Sequence, residues 1–217
     1  MTIKNQLGYS LVELLVSLVI GLIIMGGIYL SATSQERNMN IEDRVGEVQA
    51  NLRSGLYILE RDLRSAGYDP TCASPPCLGF TNATSTSFSF RRRNPTTNAI
   101  ETITYGLYDS QGDGDMDLGR NVNGSGNQPV ILNVDAVDFV YFDNTGTRLA
   151  TPLTPADLND IQIVEITLVA HSEIPDPNFT SSQTFQNLQG ETVFIPSSSD
   201  HFRRRSIRTR VLCRNSF

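Results

Sequence analysis

From Tyr9 to Ala32 the chain carries one charged side chain, Glu13. Everything else in that window is apolar or small and neutral. Leu14, Leu15, Val16, Leu18, Val19 and Ile20 lead into Leu22, Ile23, Ile24 and Met25, then Ile28, Tyr29 and Leu30. At 1.5 Å rise per residue, about 20 such residues cover the roughly 30 Å of a bilayer core, so the stretch reads as a membrane-spanning helix. A carboxylate inside that span is costly until a partner neutralises it, and it therefore marks function rather than packing.

Eight residues, Met1 to Gly8, precede the span and carry only Lys4 as a charge. Two processing schemes compete. A secretory signal is cut after its apolar core, here at small residues such as Ser31-Ala32. The other scheme is a short leader, residues 1–8, cut before the apolar stretch, which then stays in the mature chain. The stretch is longer than a signal core and contains Glu13, which a discarded core has no need to carry; both facts favour the short leader. Lys4 keeps that leader on the cytoplasmic side.

Gly8, the aromatic Tyr9, and Ser10-Leu11-Val12-Glu13-Leu14-Leu15-Val16 together resemble the prepilin leader and N-terminus of type IV pilins and type II secretion pseudopilins. The resemblance implies that a membrane aspartyl peptidase, the prepilin peptidase, cuts between Gly8 and Tyr9 and methylates the new Tyr9 amine. The family more often has Phe at that place. The cut leaves an α-amino group at the lipid-embedded start of a helix. Pairing that amine with Glu13 of a neighbouring subunit relieves both costs. In this reading Glu13 sets the register of assembly and is not catalytic.

Beyond the span the helical pattern continues. Ile41, Val45, Val48, Leu52, Leu56, Leu59 and Leu63 recur at steps of three and four, an apolar stripe among charged neighbours such as Glu42, Arg44, Arg53, Arg61 and Asp62. Gly26-Gly27 and Gly46 weaken the helix by about 1 kcal/mol each relative to Ala and are places for a bend. The helix is expected to end near Ala66, with Gly67 as its cap and Pro70 following. This divides the chain into leader 1–8, transmembrane and assembly half 9–32, amphipathic half 33–66, and head 67–217. Within the junction, Arg61 and Arg64-Ser65-Ala66-Gly67-Tyr68 resemble the end of the long helix in PilW-type minor pilins.

About 150 residues remain for one soluble domain with its own core. Strand patterns appear at Thr86–Arg92, Ile100–Tyr108, Val134–Phe142, Ile161–Ala170 and Ser206–Asn215, with turn-rich connections at Asn121–Pro129 and Ser172–Phe179. Ile161–Ala170 is apolar on both faces and reads as a central strand under the helix. The expected fold is α+β: a long N-terminal α-helix packed on an antiparallel β-sheet head, pilin-like. Val134–Phe142 and the Arg-rich C-terminus also resemble PilW proteins and the J-type pseudopilins.

Cys72 and Cys77 are expected to close a small loop as a disulfide contributing about 2 kcal/mol. The odd cysteine, Cys213, falls on the apolar face of the last strand and reads as a buried thiol. Asp109, Gln111, Asp113, Asp115 and Asp117 alternate around Gly114 as in the first part of a Ca²⁺ loop. The twelfth position is Arg120 instead of a bidentate glutamate. A structural Ca²⁺ and a solvated Asp/Gly turn therefore stand as equal readings. The net charge of −6 argues against nucleic-acid binding, and the triplets Arg91–Arg93 and Arg203–Arg205 read as salt-bridge partners for the acidic excess. His171 and His201 are isolated, and no Ser/His/Asp, metalloprotease or phosphate-loop pattern appears, so no enzyme is expected.

The resemblance implies a minor type IV pilin, held in the bacterial inner membrane with its head in the periplasm until it enters the fibre. Its implied partners are other minor and major pilins, the prepilin peptidase, the inner-membrane assembly platform and a tip adhesin. Two alternatives stand beside it: a J-type pseudopilin of a type II secretion system, and a membrane-anchored periplasmic Ca²⁺-binding module with no fibre.

Overall fold

The computed structural model describes residues 10–73, 77–197 and 200–215. A single helix, α1, runs over Leu11–Arg64 and continues without interruption through Gly26, Gly27 and Gly46. Unbroken backbone pairing is what a lipid environment demands of a spanning segment, and it outweighs the small propensity cost of Gly26 and Gly27. The residues through Asp43 form one compact unit and those from Arg44 onward form a second.

In the second unit the stripe behaves as its periodicity predicts. Val48, Leu52, Leu56, Leu59 and Leu63 are all buried in the hydrophobic core. Gly55 lies so close to the head that a Cβ there would come within 2.9 Å of the Val130 carbonyl oxygen. The helix tightens at its end through bonds from Ser65 N to Asp62 O and from Ala66 N to Leu63 O. It therefore stops two residues short of Ala66. Gly67 follows with φ 77°, the left-handed cap conformation.

The head contains two larger antiparallel sheets where one was expected. The first is a meander of β1 (Phe80–Ala83), β2 (Phe88–Arg93), β3 (Ile100–Tyr108), β4 (Asp117–Val122) and β5 (Asn127–Ile131), ordered as in the chain. The second holds β6 (Val134–Phe142), β7 (Arg148–Leu149), β8 (Ile163–His171) and β11 (Arg204–Leu212), in the order β11-β8-β6-β7. The hairpin β9 (Phe185–Gln186) and β10 (Thr192–Phe194) stands separately.

β8 is central, as its apolar run indicated. Ile166 and Leu168 are fully buried on one face, and Glu165, Thr167 and Val169 are buried on the other. The Asn121–Pro129 stretch is a correction. It forms the end of β4, a tight connection and most of β5, with Asn123 at φ 55° and Gly124 at φ 74° making the turn. Its Asn, Gly, Gln and Pro residues give no period-two pattern; the ladders of β4 with β3 and of β5 with β4 make these segments strands.

Between the sheets lies an aromatic cluster. Phe88 of β2 meets Phe139 of β6 edge-on with ring centroids 4.9 Å apart, and Phe80 of β1 meets Tyr141 of β6 at 6.5 Å. Cys72 and Cys77 are disulfide-bonded, with Cα atoms 5.7 Å apart. Cys213 is a free thiol with no solvent exposure, and burial pushes it up to about 12.

Candidate assembly interface

Every large apolar side chain from Leu11 to Leu30 is more than half exposed, from 52% at Leu15 to 75% at Leu11. A continuous apolar surface of that size on a helix requires cover by lipid or by other helices. The helix is long and apolar enough to cross a membrane. Its hydroxyls turn back onto the helix: Ser17 Oγ donates to Glu13 O at 2.7 Å, and Thr33 Oγ1 donates to Tyr29 O at 3.1 Å. That satisfies them without a partner molecule. The Glu13 carboxylate gains no hydrogen bond or ion pair within the chain among the described residues. Gly8 and Tyr9, the expected cleavage and methylation residues, lie outside the described residues, as does the whole 1–8 leader.

The junction around Gly67 is where α1 is locked to the head. Gly67 N donates to Arg91 O, and Arg93 N donates to Tyr68 O at 2.7 Å. A Cβ on Gly67 would lie 2.5 Å from Asn215 O and 2.9 Å from Leu78 O, so backbone surrounds the site. Arg93 Nε donates to Asp69 Oδ1 at 2.8 Å, and this hydrogen bond leads the causes that hold the Asp69 carboxyl down at about 2.

Asp62 is the buried centre of this junction, and sequence reading placed it among the solvent-facing charges. Its side chain is fully buried and accepts from Arg120 Nε at 2.6 Å, Tyr105 OH at 2.9 Å and Arg92 Nη1 at 3.4 Å. Burial, followed by the Asp62 charge, pushes the Tyr105 phenol far up, so it remains a donor. A sequence signal existed: Gly55, Leu59, Asp62 and Ala66 are spaced four, three and four, which puts the carboxylate on the buried stripe.

In the Asp109–Asp117 loop the acidic side chains engage the loop's own backbone and neighbouring elements. Asp109 turns its carboxylate onto its own loop, accepting from Gly112 N at 2.6 Å and Gly114 N at 3.1 Å. Those backbone bonds, Gly112 first, hold its carboxyl below the usual range. Asp113 accepts from Asp115 N. Asp117 is buried and points inward, accepting from Asn133 N at 2.9 Å and from Ser110 Oγ. Asp115 faces His171 Nε2 at 3.6 Å, and Gln111 is exposed in the turn. No group of three or more His, Cys, Asp or Glu able to hold a metal occurs among the described residues. The alternating pattern records an Asx-type turn between β3 and β4.

The two arginine triplets take separate acidic partners. Arg92 pairs with Asp62 and Glu101, Arg93 with Asp69, Arg203 with Asp176, and Arg204 with Asp135 and Asp200.

Comparison with curated proteins and with solved structures returns no match. Residues 3–29 match the family model for the prokaryotic N-terminal methylation motif. That is the prepilin signal of type IV pilin-like and pseudopilin proteins, and it implies processing by prepilin peptidase and assembly with other pilins. Together with the apolar start of α1, it fits an inner-membrane anchor.

Proposed function

We propose that the chain is a minor type IV pilin of the PilW type that joins a minor-pilin complex and primes fibre assembly at or near the tip. The observation that carries the reading is the methylation motif at the head of an exposed apolar stretch whose one carboxylate, Glu13, has no partner among the described residues. Function is then association. Apolar helices bundle, and Glu13 answers the Tyr9 amine of a neighbour and fixes the stagger. The head, tied to α1 through Asp62 and Gly67, selects the neighbour. The minor-pilin assignment rests on the junction from Arg61 to Tyr68 and on the C-terminal strand.

In this reading the protein waits in the inner membrane with its head in the periplasm, and then enters the fibre. The test is deletion of the gene followed by counting of surface pili in a strain whose retraction is disabled. Loss of pili, restored by the intact gene, supports the reading. Unchanged pili with loss of a secreted hydrolase favour a J-type pseudopilin, and unchanged pili with intact secretion overturn both.

A further inference from the structure

β11 is the outer strand of the four-stranded sheet and pairs with β8 along its whole length from Arg204 to Leu212. Among the described residues no strand or loop backbone pairs with its other edge. An edge of nine residues spans about 30 Å and directs alternate N–H and C=O groups outward.

Beside that edge runs a groove of about 200 Å³ lined by Gln49, Leu52 and Arg53 of α1 and by Arg205, Ser206 and Ile207 of β11. Leu52 is buried and Ile207 half-buried, so the floor is apolar, while Arg53 and Arg205 are exposed at the rim. Arg208 stands on the opposite face of the strand, also exposed, and among the described residues donates only to the Gln186 carbonyl. Among the described residues Arg53, Arg205 and Arg208 have no carboxylate in ion-pair range. Arg92, Arg120, Arg203, Arg204 and Arg210 of the same head each have one. The acids that touch β11 are already taken: Glu60 by Arg64 and Thr209, Glu165 by Arg210, and Asp135 and Asp200 by Arg204. In a chain of net charge −6, three uncompensated cations line one free sheet edge.

We propose that the β11 edge receives an extended acidic segment of a partner protein, which joins the four-stranded sheet as a further strand. Main-chain hydrogen bonds to β11 supply affinity. An apolar side chain of the segment enters the Leu52–Ile207 groove, and flanking carboxylates meet Arg53 and Arg205 on one face and Arg208 on the other. A second copy of this chain is the wrong occupant. Antiparallel pairing of β11 with itself brings the arginines of both copies together, so the same charges that attract an acidic strand repel a like edge. The inference concerns the head and does not depend on the pilin reading.

The test uses the full chain in detergent micelles and two synthetic decapeptides: a Val/Glu peptide with one central Val flanked by Glu on both faces of the strand, and a Val/Lys peptide with Lys in place of every Glu. Hydrogen exchange with mass spectrometry reads protection of β11, and titration reads affinity. The Val/Glu peptide is expected to protect β11. Its binding should weaken by about tenfold in the Arg205→Glu, Arg208→Glu double variant, which should in turn bind the Val/Lys peptide more tightly than wild type does. Arg53→Glu gives the same readout from the helix side should the double variant fail to fold. Absence of protection by the Val/Glu peptide, equal protection by both peptides, or protection that rises with protein concentration alone overturns the proposal.

Discussion

Arg120 Nε donates to Asp62 Oδ2 at 2.6 Å, and the acceptor is fully buried while the donor keeps 17% of its side-chain surface. Arg120 on β4 lies directly across the ladder from Tyr105 on β3, and both reach the same carboxylate. One helical residue thereby ties α1 to β2, β3 and β4. Removing it leaves two arginines without their shared counter-charge in a largely dry site. Asp62→Ala is expected to destabilise the head by about 3 kcal/mol, the lower end for a broken buried pair because the arginines retain some solvent. Urea unfolding of the full chain in micelles, followed by circular dichroism, checks this. A loss below about 1 kcal/mol would place Asp62 among ordinary surface ion pairs.

Two glycines of the same helix region should respond in opposite directions. Gly67 has φ 77° and backbone oxygens of Asn215 and Leu78 within 3.0 Å of where a Cβ would stand. Gly67→Ala therefore meets both an unfavourable backbone conformation and atoms that cannot swing aside, a cost of about 2 kcal/mol or more. Gly46 sits within α1 with nothing within 4 Å of its Cβ position, so Gly46→Ala should stabilise by up to about 1 kcal/mol. Thermal midpoints of the two variants, compared with wild type, decide the matter. Equal effects of one sign would refute the assignment of Gly67 as a steric cap.

The contrast between Gly67 and Asp62 shows what the sequence could and could not convey. Helix, cap and stripe are local periodicities, and Leu52, Leu59, Leu63 and Gly67 could be placed from them. Phe88 with Phe90, and Val137 with Phe139 and Tyr141, were legible for the same reason, because strict alternation fixes a buried face. Asp62 occupies a stripe position too, but its burial depends on Arg92, Arg120 and Tyr105 arriving from three strands, a long-range fact. β4 and β5 escaped because pairing, not side-chain pattern, makes them strands. The Asp109 loop stayed open in the sequence because acids at alternate positions serve an Asx turn and a cation loop equally well. Only the direction of each carboxylate separates the two, and that direction is set by Gly112, Gly114 and Asn133 amides.

Acid should loosen the junction in a defined window. Asp69 is lowered from 3.8 to about 2, with the Arg93 hydrogen bond as the leading cause. A carboxylate whose folded value is depressed stabilises the fold above its unfolded value, and the contribution disappears as pH falls through the folded value. The unfolded chain takes up the proton first, near pH 4, and the folded chain only near pH 2. Asp69→Asn should lower the thermal midpoint at neutral pH, and the gap to wild type should close between about pH 4 and pH 2. A gap that stays constant across that window would show that the ion pair with Arg93 does not carry the effect.

Glu13 and Gly8 separate assembly from processing. In the proposed fibre Glu13 neutralises a neighbour's Tyr9 amine, so Glu13→Ala is expected to leave membrane insertion and leader removal intact while the protein disappears from sheared fibres. Glu13→Gln removes the charge but keeps the length, and it should fail in the same way if pairing with an amine is what matters. Gly8→Leu acts earlier: the peptidase meets a bulky side chain at the cut, and an uncleaved precursor should persist in the membrane fraction. Mass spectrometry of the N-terminus reads both outcomes, as N-methyl-Tyr9 in the Glu13 variants and as an intact leader in the Gly8 variant. A Glu13→Ala protein that is processed, incorporated and supports normal fibre numbers would remove the carboxylate from the assembly mechanism. The apolar surface from Leu11 to Leu30 would then be the sole determinant of how the helices stack.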